Sequence, residues 1–149
     1  MARIEINLVI NRPVEEVFAF VSNSENLPRW RSTVLECKKT SDGPLSVGGT
    51  FSSRLTFLGR QFDGNLVITE HEPNRIYASK MAEGPFPLET RYVLEPVKNG
   101  TNVAFVVEGA PGGFFKFAEP LVVSMAKRAY EADLHNLKEM LEAQAVQVA

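Results

Sequence analysis

The chain has 149 residues, 44% hydrophobic and 23% charged, which suits one ordinary globular domain with a real core. Lys and Arg number 16 against 18 Asp and Glu, a formal net charge of −2, so neither a basic nucleic-acid face nor a polybasic lipid-binding cluster is expected. Cys37 is the only cysteine, which excludes an internal disulfide, and no apolar run approaches the ~18 residues of a membrane span.

Residues 1–10 hold Glu5 and Asn7 and form no continuous apolar segment, so no secretory leader is expected and a reduced, cytoplasmic setting is the simplest reading. Ile4, Ile6, Leu8 and Ile10 fall on one face and Glu5 and Asn7 on the other, the period of a strand with one buried face. Asn11-Arg12-Pro13 ends it, and Val14, Val17, Phe18 and Val21 follow at helical spacing. Ser22-Asn23-Ser24 breaks that helix, and Ser24 is placed to cap a second short one from Glu25 to Trp30, with Pro28 tolerated near its start.

From about residue 33 to 110 the sequence alternates between turns and strands. Turn signals fall at Ser41-Asp42-Gly43-Pro44, Gly48-Gly49, Leu58-Gly59-Arg60, Glu72-Pro73-Asn74, Gly84-Pro85 and Lys98-Asn99-Gly100. Between them Phe51, Leu55 and Phe57 share a parity, as do Phe62, Leu66 and Ile68, then Leu88, Thr90, Tyr92 and Leu94, then Val103, Phe105 and Val107. Six such segments with short loops predict an antiparallel meander, and Asn99-Gly100 is its strongest hairpin signal. Pro111-Gly112-Gly113 stops the sheet, and a long helix is predicted from Phe114 to about Gln144, interrupted only by Pro120, with a frayed tail from Ala143. Its apolar stripe begins as Phe114, Ala118, Leu121, Met125 and Ala129 and shifts to Tyr130, Leu134, Leu137 and Leu141.

The predicted architecture is α+β in one domain, 1–149: a seven-stranded curved antiparallel sheet wrapped around a long C-terminal helix, with two short helices after the first strand. A strongly curved sheet under one helix need not touch it everywhere, and the gap between them is where a ligand would sit.

Several stretches then resemble the START-like (SRPBCC) superfamily in its polyketide cyclase/dehydrase branch. They are Asn11 to Phe18 opening the first helix, Asn26-Leu27-Pro28-Arg29-Trp30 closing the second, Val47-Gly48-Gly49-Thr50-Phe51, Ile68 to Arg75, Gly84-Pro85-Phe86-Pro87, Tyr92 to Pro96, and Gly100-Thr101. The resemblance spans nearly the whole chain and implies a helix-grip fold with a ligand cavity. It implies no shared catalytic set, because relatives include aromatic cyclases, lipid, hormone and quinone binders and chaperone co-activators.

Residues on the inward parity are either core or pocket wall. The ligand-contacting set is read as Trp30, Phe51, Leu55, Phe57, Leu66, Thr90, Tyr92, Phe105, Phe114, Phe117, Leu121 and Met125, with the last four nearest the start of the long helix and Met suited to an adaptable wall. Trp30 is either pocket mouth or packing anchor, and a buried Tyr92 hydroxyl needs a partner, from backbone or ligand. Arg54, Lys80 and Arg91 are expected on the outer face, entering a cavity only if a bulge reverses a strand. His71, between two glutamates, is expected at a rim, and His135 on the solvated side of the helix with Asp133. Cys37, His71 and His135 have no zinc spacing, and no nucleophile triad, phosphate loop or dinucleotide fingerprint is present, so no metal, cofactor or catalytic residue is assigned. The expected partner is a small hydrophobic or aromatic molecule, a lipid, quinone or polyketide, with pairing as a homodimer left open. The alternatives are a cyclase/dehydratase enzyme and a co-chaperone-like interaction module.

Overall fold

The computed structural model describes residues 2–57, 59–81, 88–109 and 119–148. Seven strands run β1 (Ala2–Ile10), β2 (Val34–Lys39), β3 (Thr50–Phe57), β4 (Arg60–Glu72), β5 (Ile76–Met81), β6 (Leu88–Val97) and β7 (Gly100–Gly109). They form one antiparallel sheet in the order β1-β7-β6-β5-β4-β3-β2. Helices α1 (Val14–Val21) and α2 (Leu27–Trp30), joined by a 3₁₀ turn at Ser24–Asn26, connect β1 to β2, and α3 (Glu119–Val148) follows the sheet. This is the curved sheet and long C-terminal helix of a helix-grip fold. The predicted turn at Gly84-Pro85, the stop at Pro111-Gly112-Gly113 and the helix start from Phe114 lie outside the described residues.

The alternation read from sequence sets the concave face. Ile4, Ile6, Leu8 and Ile10 pair with Val107, Phe105, Val103 and Thr101, and Tyr92 and Leu94 face Phe105 and Val103 on the other side of β7. The hairpin between β6 and β7 turns one residue earlier than its sequence signal: Val97 pairs with Gly100, and Asn99 takes the left-handed φ of 65°.

Two irregularities escape the simple alternation. Register shifts between Val34 and Glu36 in β2, and between Ile68 and Glu70 in β4. The second exchanges the faces of the residues beyond it, so Glu70 turns outward and His71 lies inward, edge-on to Phe18 at 5.5 Å and to Tyr77 at 6.2 Å. Of the rim or solvent position expected for His71, the solvent placement is corrected; the histidine is half-buried near the end of β4, against Phe18 of α1.

Helix α3 is held by its C-terminal half. Leu134, Leu137 and Leu141 are buried in the core, and Lys138 donates to the Val9 carbonyl and to Glu142, whose carboxylate also accepts the Asn11 amide at 2.9 Å. The helix extends past Ala143 to Val148 through a Gly- and Pro-free stretch. At roughly 100° per residue, Leu121 falls about opposite the stripe centred on Leu137. Leu121 is accordingly 66% exposed and Met125 45%, correcting the inward placement read from sequence.

Candidate functional site

On the concave face between β3 and β6 apolar side chains are interspersed with small polar ones, and Tyr77, Tyr92 and Arg31 add larger polar groups. Leu55, Leu66, Met81 and Leu88 line a partly open cavity of about 50 Å³, together with Leu27 of α2 and Val34 of β2. Ser53, Ser79, Thr90, Tyr77, Tyr92 and Arg31 supply its polar lining. At ~10–15 Å³ per water this is room for a few water molecules. Met81 packs over Gly64: a Cβ there would stand 2.7 Å from Met81 Sδ, so the missing side chain gives Met81 its room.

The larger polar groups centre on Arg31. It caps the short helix α2, donating its backbone amide to the Leu27 carbonyl at 2.8 Å, and its side chain turns into the protein. The guanidinium carbon stands 5.0 Å from the ring centre of Tyr130, 5.8 Å from Phe105 and 5.9 Å from Trp30. Tyr92 continues this aromatic group, 5.2 Å from Phe105 and 6.2 Å from Trp30. Asp133 of α3 is 1% exposed and uses one oxygen to accept the Ser32 amide at 3.1 Å. Among the described residues, four enclosed polar atoms lack a hydrogen-bond partner: Arg31 Nε, Trp30 Nε1, Tyr92 Oη and Asp133 Oδ2.

Burial pushes the Tyr92 phenol above its ordinary value, opposed by the adjacent Arg31 charge. For Arg31, burial acts to discharge the group, but the fields of Tyr92, Tyr130 and Asp133 outweigh it and the guanidinium is held more firmly protonated. Arg31 thus acts on Tyr92 through its charge and through a close approach of the guanidinium to the hydroxyl, an approach that falls short of hydrogen-bond geometry and leaves Arg31 Nε and Tyr92 Oη unpartnered. Tyr77 differs from Tyr92: its hydroxyl lies 2.6 Å from Ser24 Oγ, and burial raises its pKa against that bond. Ser24 is spent on this contact, so Asn23 rather than the expected Ser24 caps the 3₁₀ turn, accepting the Glu25 amide at 3.1 Å.

Of the residues singled out from sequence, Leu55, Leu66, Thr90 and Tyr92 line the cavity. Trp30, Phe51 and Phe105 are buried in the hydrophobic core, Trp30 and Phe105 against the Arg31 group. Leu121 and Met125 lie on the exposed side of α3. The Phe57 side chain and residues Phe114 and Phe117 lie outside the described residues. Arg54, Lys80 and Arg91 stand on the outer face, against Asp63, Glu89 and Glu70. Sequence reasoning missed Arg31, a loop residue with no periodicity to place it, and set Asp133 on the solvated side of the helix. The available signal was that Asp133 falls within the stripe Tyr130, Leu134 and Leu137, where a polar residue needs a reason. Among the described residues no group of three or more His, Cys, Asp or Glu is arranged to hold a metal ion, and no helix is long and apolar enough to cross a membrane.

A family model described as polyketide cyclase / dehydrase and lipid transport matches residues 1–142. No curated protein matches the sequence. Among solved structures, a Thermus thermophilus protein superposes with a TM-score of 0.81 at 18% identity, covering 96% of this chain and 99% of that one. The di-domain ARO/CYC StfQ from the steffimycin biosynthetic pathway gives 0.78 at 13% identity over 96% of this chain and 51% of that one. A Polyketide_cyc-like protein from Corynebacterium glutamicum gives 0.62 at 24% identity over 96% and 93%. At these identities the likeness to the solved structures is one of fold.

Proposed function

Since the chain belongs to the polyketide cyclase / dehydrase and lipid transport family, we propose that it binds a small hydrophobic or aromatic molecule on the concave face of its sheet, beneath α2 and α3. The observation that carries this reading is an apolar-walled cavity whose lining also holds Arg31 and Tyr92 with polar atoms unpartnered. Buried polar groups in a folded protein are nearly always satisfied, and the exceptions call for a reason such as a ligand. A volume of about 50 Å³ is below the ~300–1,000 Å³ of drug-sized pockets, so binding requires the wall to yield. Met81, unbranched and flexible, is suited to yield, and Leu88 stands beside it as the first residue of β6.

The test is the shift in melting temperature with a panel of fatty acids, quinones and polycyclic aromatic compounds, run beside Leu66→Phe, which fills the wall with an apolar ring. The reading expects a saturable rise for at least one class in the parent chain, with Leu66→Phe folded but unresponsive. An identical response in both proteins would place binding elsewhere.

A second reading, a cyclase or dehydratase, is favoured by one observation: Arg31 and Tyr92 line the same cavity, with the field of Asp133 acting on both. Arg31 would polarise a substrate carbonyl, and the Tyr92 hydroxyl would relay a proton to or from the enolised carbon. Turnover of a poly-β-keto substrate, lost in Tyr92→Phe and Arg31→Met, would support it. Binding without turnover would leave the carrier reading in place.

A further inference from the structure

The unpartnered groups around Arg31 are unequal in kind, and of their residues Arg31 and Tyr92 line the cavity. Arg31 Nε, Trp30 Nε1 and Tyr92 Oη each carry a hydrogen to donate, the Tyr92 oxygen can also accept, and Asp133 Oδ2 only accepts. The surrounding rings engage the guanidinium by cation–π contact, Tyr130 at 5.0 Å and Phe105 at 5.8 Å. Such contacts satisfy the charge through the ring faces and consume none of its in-plane N–H donors. Asp133 is held off by its bond to the Ser32 amide, so it biases Arg31 toward the charged state without closing an ion pair. On the outer surface Arg12, Arg54, Arg75 and Arg91 each meet a carboxylate. Arg31 instead carries its charge to the wall of a cavity it shares with Tyr92. A buried cation is costly unless something pairs with it.

Resting on the ligand-binding reading above, we infer that the site selects ligands whose apolar body ends in an oxyanion (a carboxylate, phenolate or enolate), with that oxygen received between Arg31 and the Tyr92 hydroxyl. The apolar body lies along Leu55, Leu66 and Met81, and the oxyanion completes the donors that the aromatic group leaves open.

The experiment uses isosteric pairs of graded size at pH 7.5: benzoate and benzamide, 2-naphthoate and 2-naphthamide, decanoate and decanamide. Each is titrated into the full chain by calorimetry. The inference expects the carboxylate of at least one pair to bind at least about tenfold more tightly than its amide, the size of one charge-assisted hydrogen bond. Arg31→Met abolishes the preference and leaves the amide affinity within about threefold, and Arg31→Lys restores part of it. Where Arg31→Met fails to fold, Tyr92→Phe serves instead, weakening the carboxylate by about three- to tenfold and leaving the amide unchanged. Amides binding as tightly as carboxylates, or a preference that survives Arg31→Met, would overturn the inference while leaving the ligand-binding reading intact. Binding of none of the six compounds would overturn both.

Discussion

Two tyrosines fifteen positions apart occupy the same wall and differ in what their hydroxyls meet. Tyr77 shares a hydrogen bond with Ser24, so Tyr77→Phe is expected to lower stability by about 1 kcal/mol in urea denaturation. The Tyr92 hydroxyl is enclosed without a partner, so Tyr92→Phe is expected to leave stability unchanged or raise it by up to about 1 kcal/mol, while weakening oxyanion binding. Equal destabilisation by both would mean that Tyr92 is a structural residue. Cys37 reports on the same core. Burial first, then the Glu25 charge, pushes its thiol up to about 12. A raised folded value favours the thiol form, so its contribution to stability is fully present below the unfolded value near 9 and is lost as pH rises toward 12. Raised Tyr77 acts in the same sense, so unfolding midpoints should fall with pH above about 9. Alkylation of Cys37 by iodoacetamide at pH 8 should proceed at the rate of unfolding, and rapid labelling of the folded chain would refute its enclosure. Arg31 was illegible from sequence because loop residues carry no period, and nothing local distinguishes an arginine that enters the protein from one that leaves it.

At the level of elements, the strands were legible because alternation follows directly from burial of one face, and their breaks were not. The register shifts at Val34/Glu36 and Ile68/Glu70 arise from pairing with neighbouring strands, so the inward place of His71 could not be counted from residue parity. The long helix was legible in extent and less so in phase: Leu134, Leu137 and Leu141 pack as expected, and Leu121 lies across the helix from them. Two elements also meet where β4 lacks a side chain. Gly64→Ala should push Met81 into the cavity, costing about 1–2 kcal/mol and weakening ligand binding, whereas a change at an exposed position of the same strand, Thr69→Ala, should leave binding as it was. Retention of full affinity in Gly64→Ala would argue against Met81 as the movable wall. At the other end, Glu142 bonds to Lys138 and to the Asn11 amide, and its pKa is lowered, first by the Lys138 bond. Its contribution is therefore present above the ordinary Glu range and is lost as pH falls through the lower folded value, and Glu142→Gln should flatten the acid limb of the stability curve by under about 1 kcal/mol.

For the molecule as a whole, the order of elements was enough to place a curved sheet under a long helix, and the local patterns were enough to place the chain in its family. The size and polarity of the space enclosed were not, because a void is set by how side chains from several segments distant in sequence meet. Trp30 and Phe105, read as pocket or core from sequence, turn out to support the arginine that lines the cavity. The arrangement concentrates unsatisfied donors around Arg31, while Arg12, Arg54, Arg75 and Arg91 on the outer surface meet acids, a distribution that suits an acidic, apolar guest. The most direct test is native mass spectrometry of the protein purified from its own source, followed by organic extraction and identification of the released compound. The account predicts a stoichiometric small molecule with an apolar body and an acidic oxygen. An unliganded chain, together with no change in melting temperature across lipids, quinones and polycyclic aromatic acids, would contradict it.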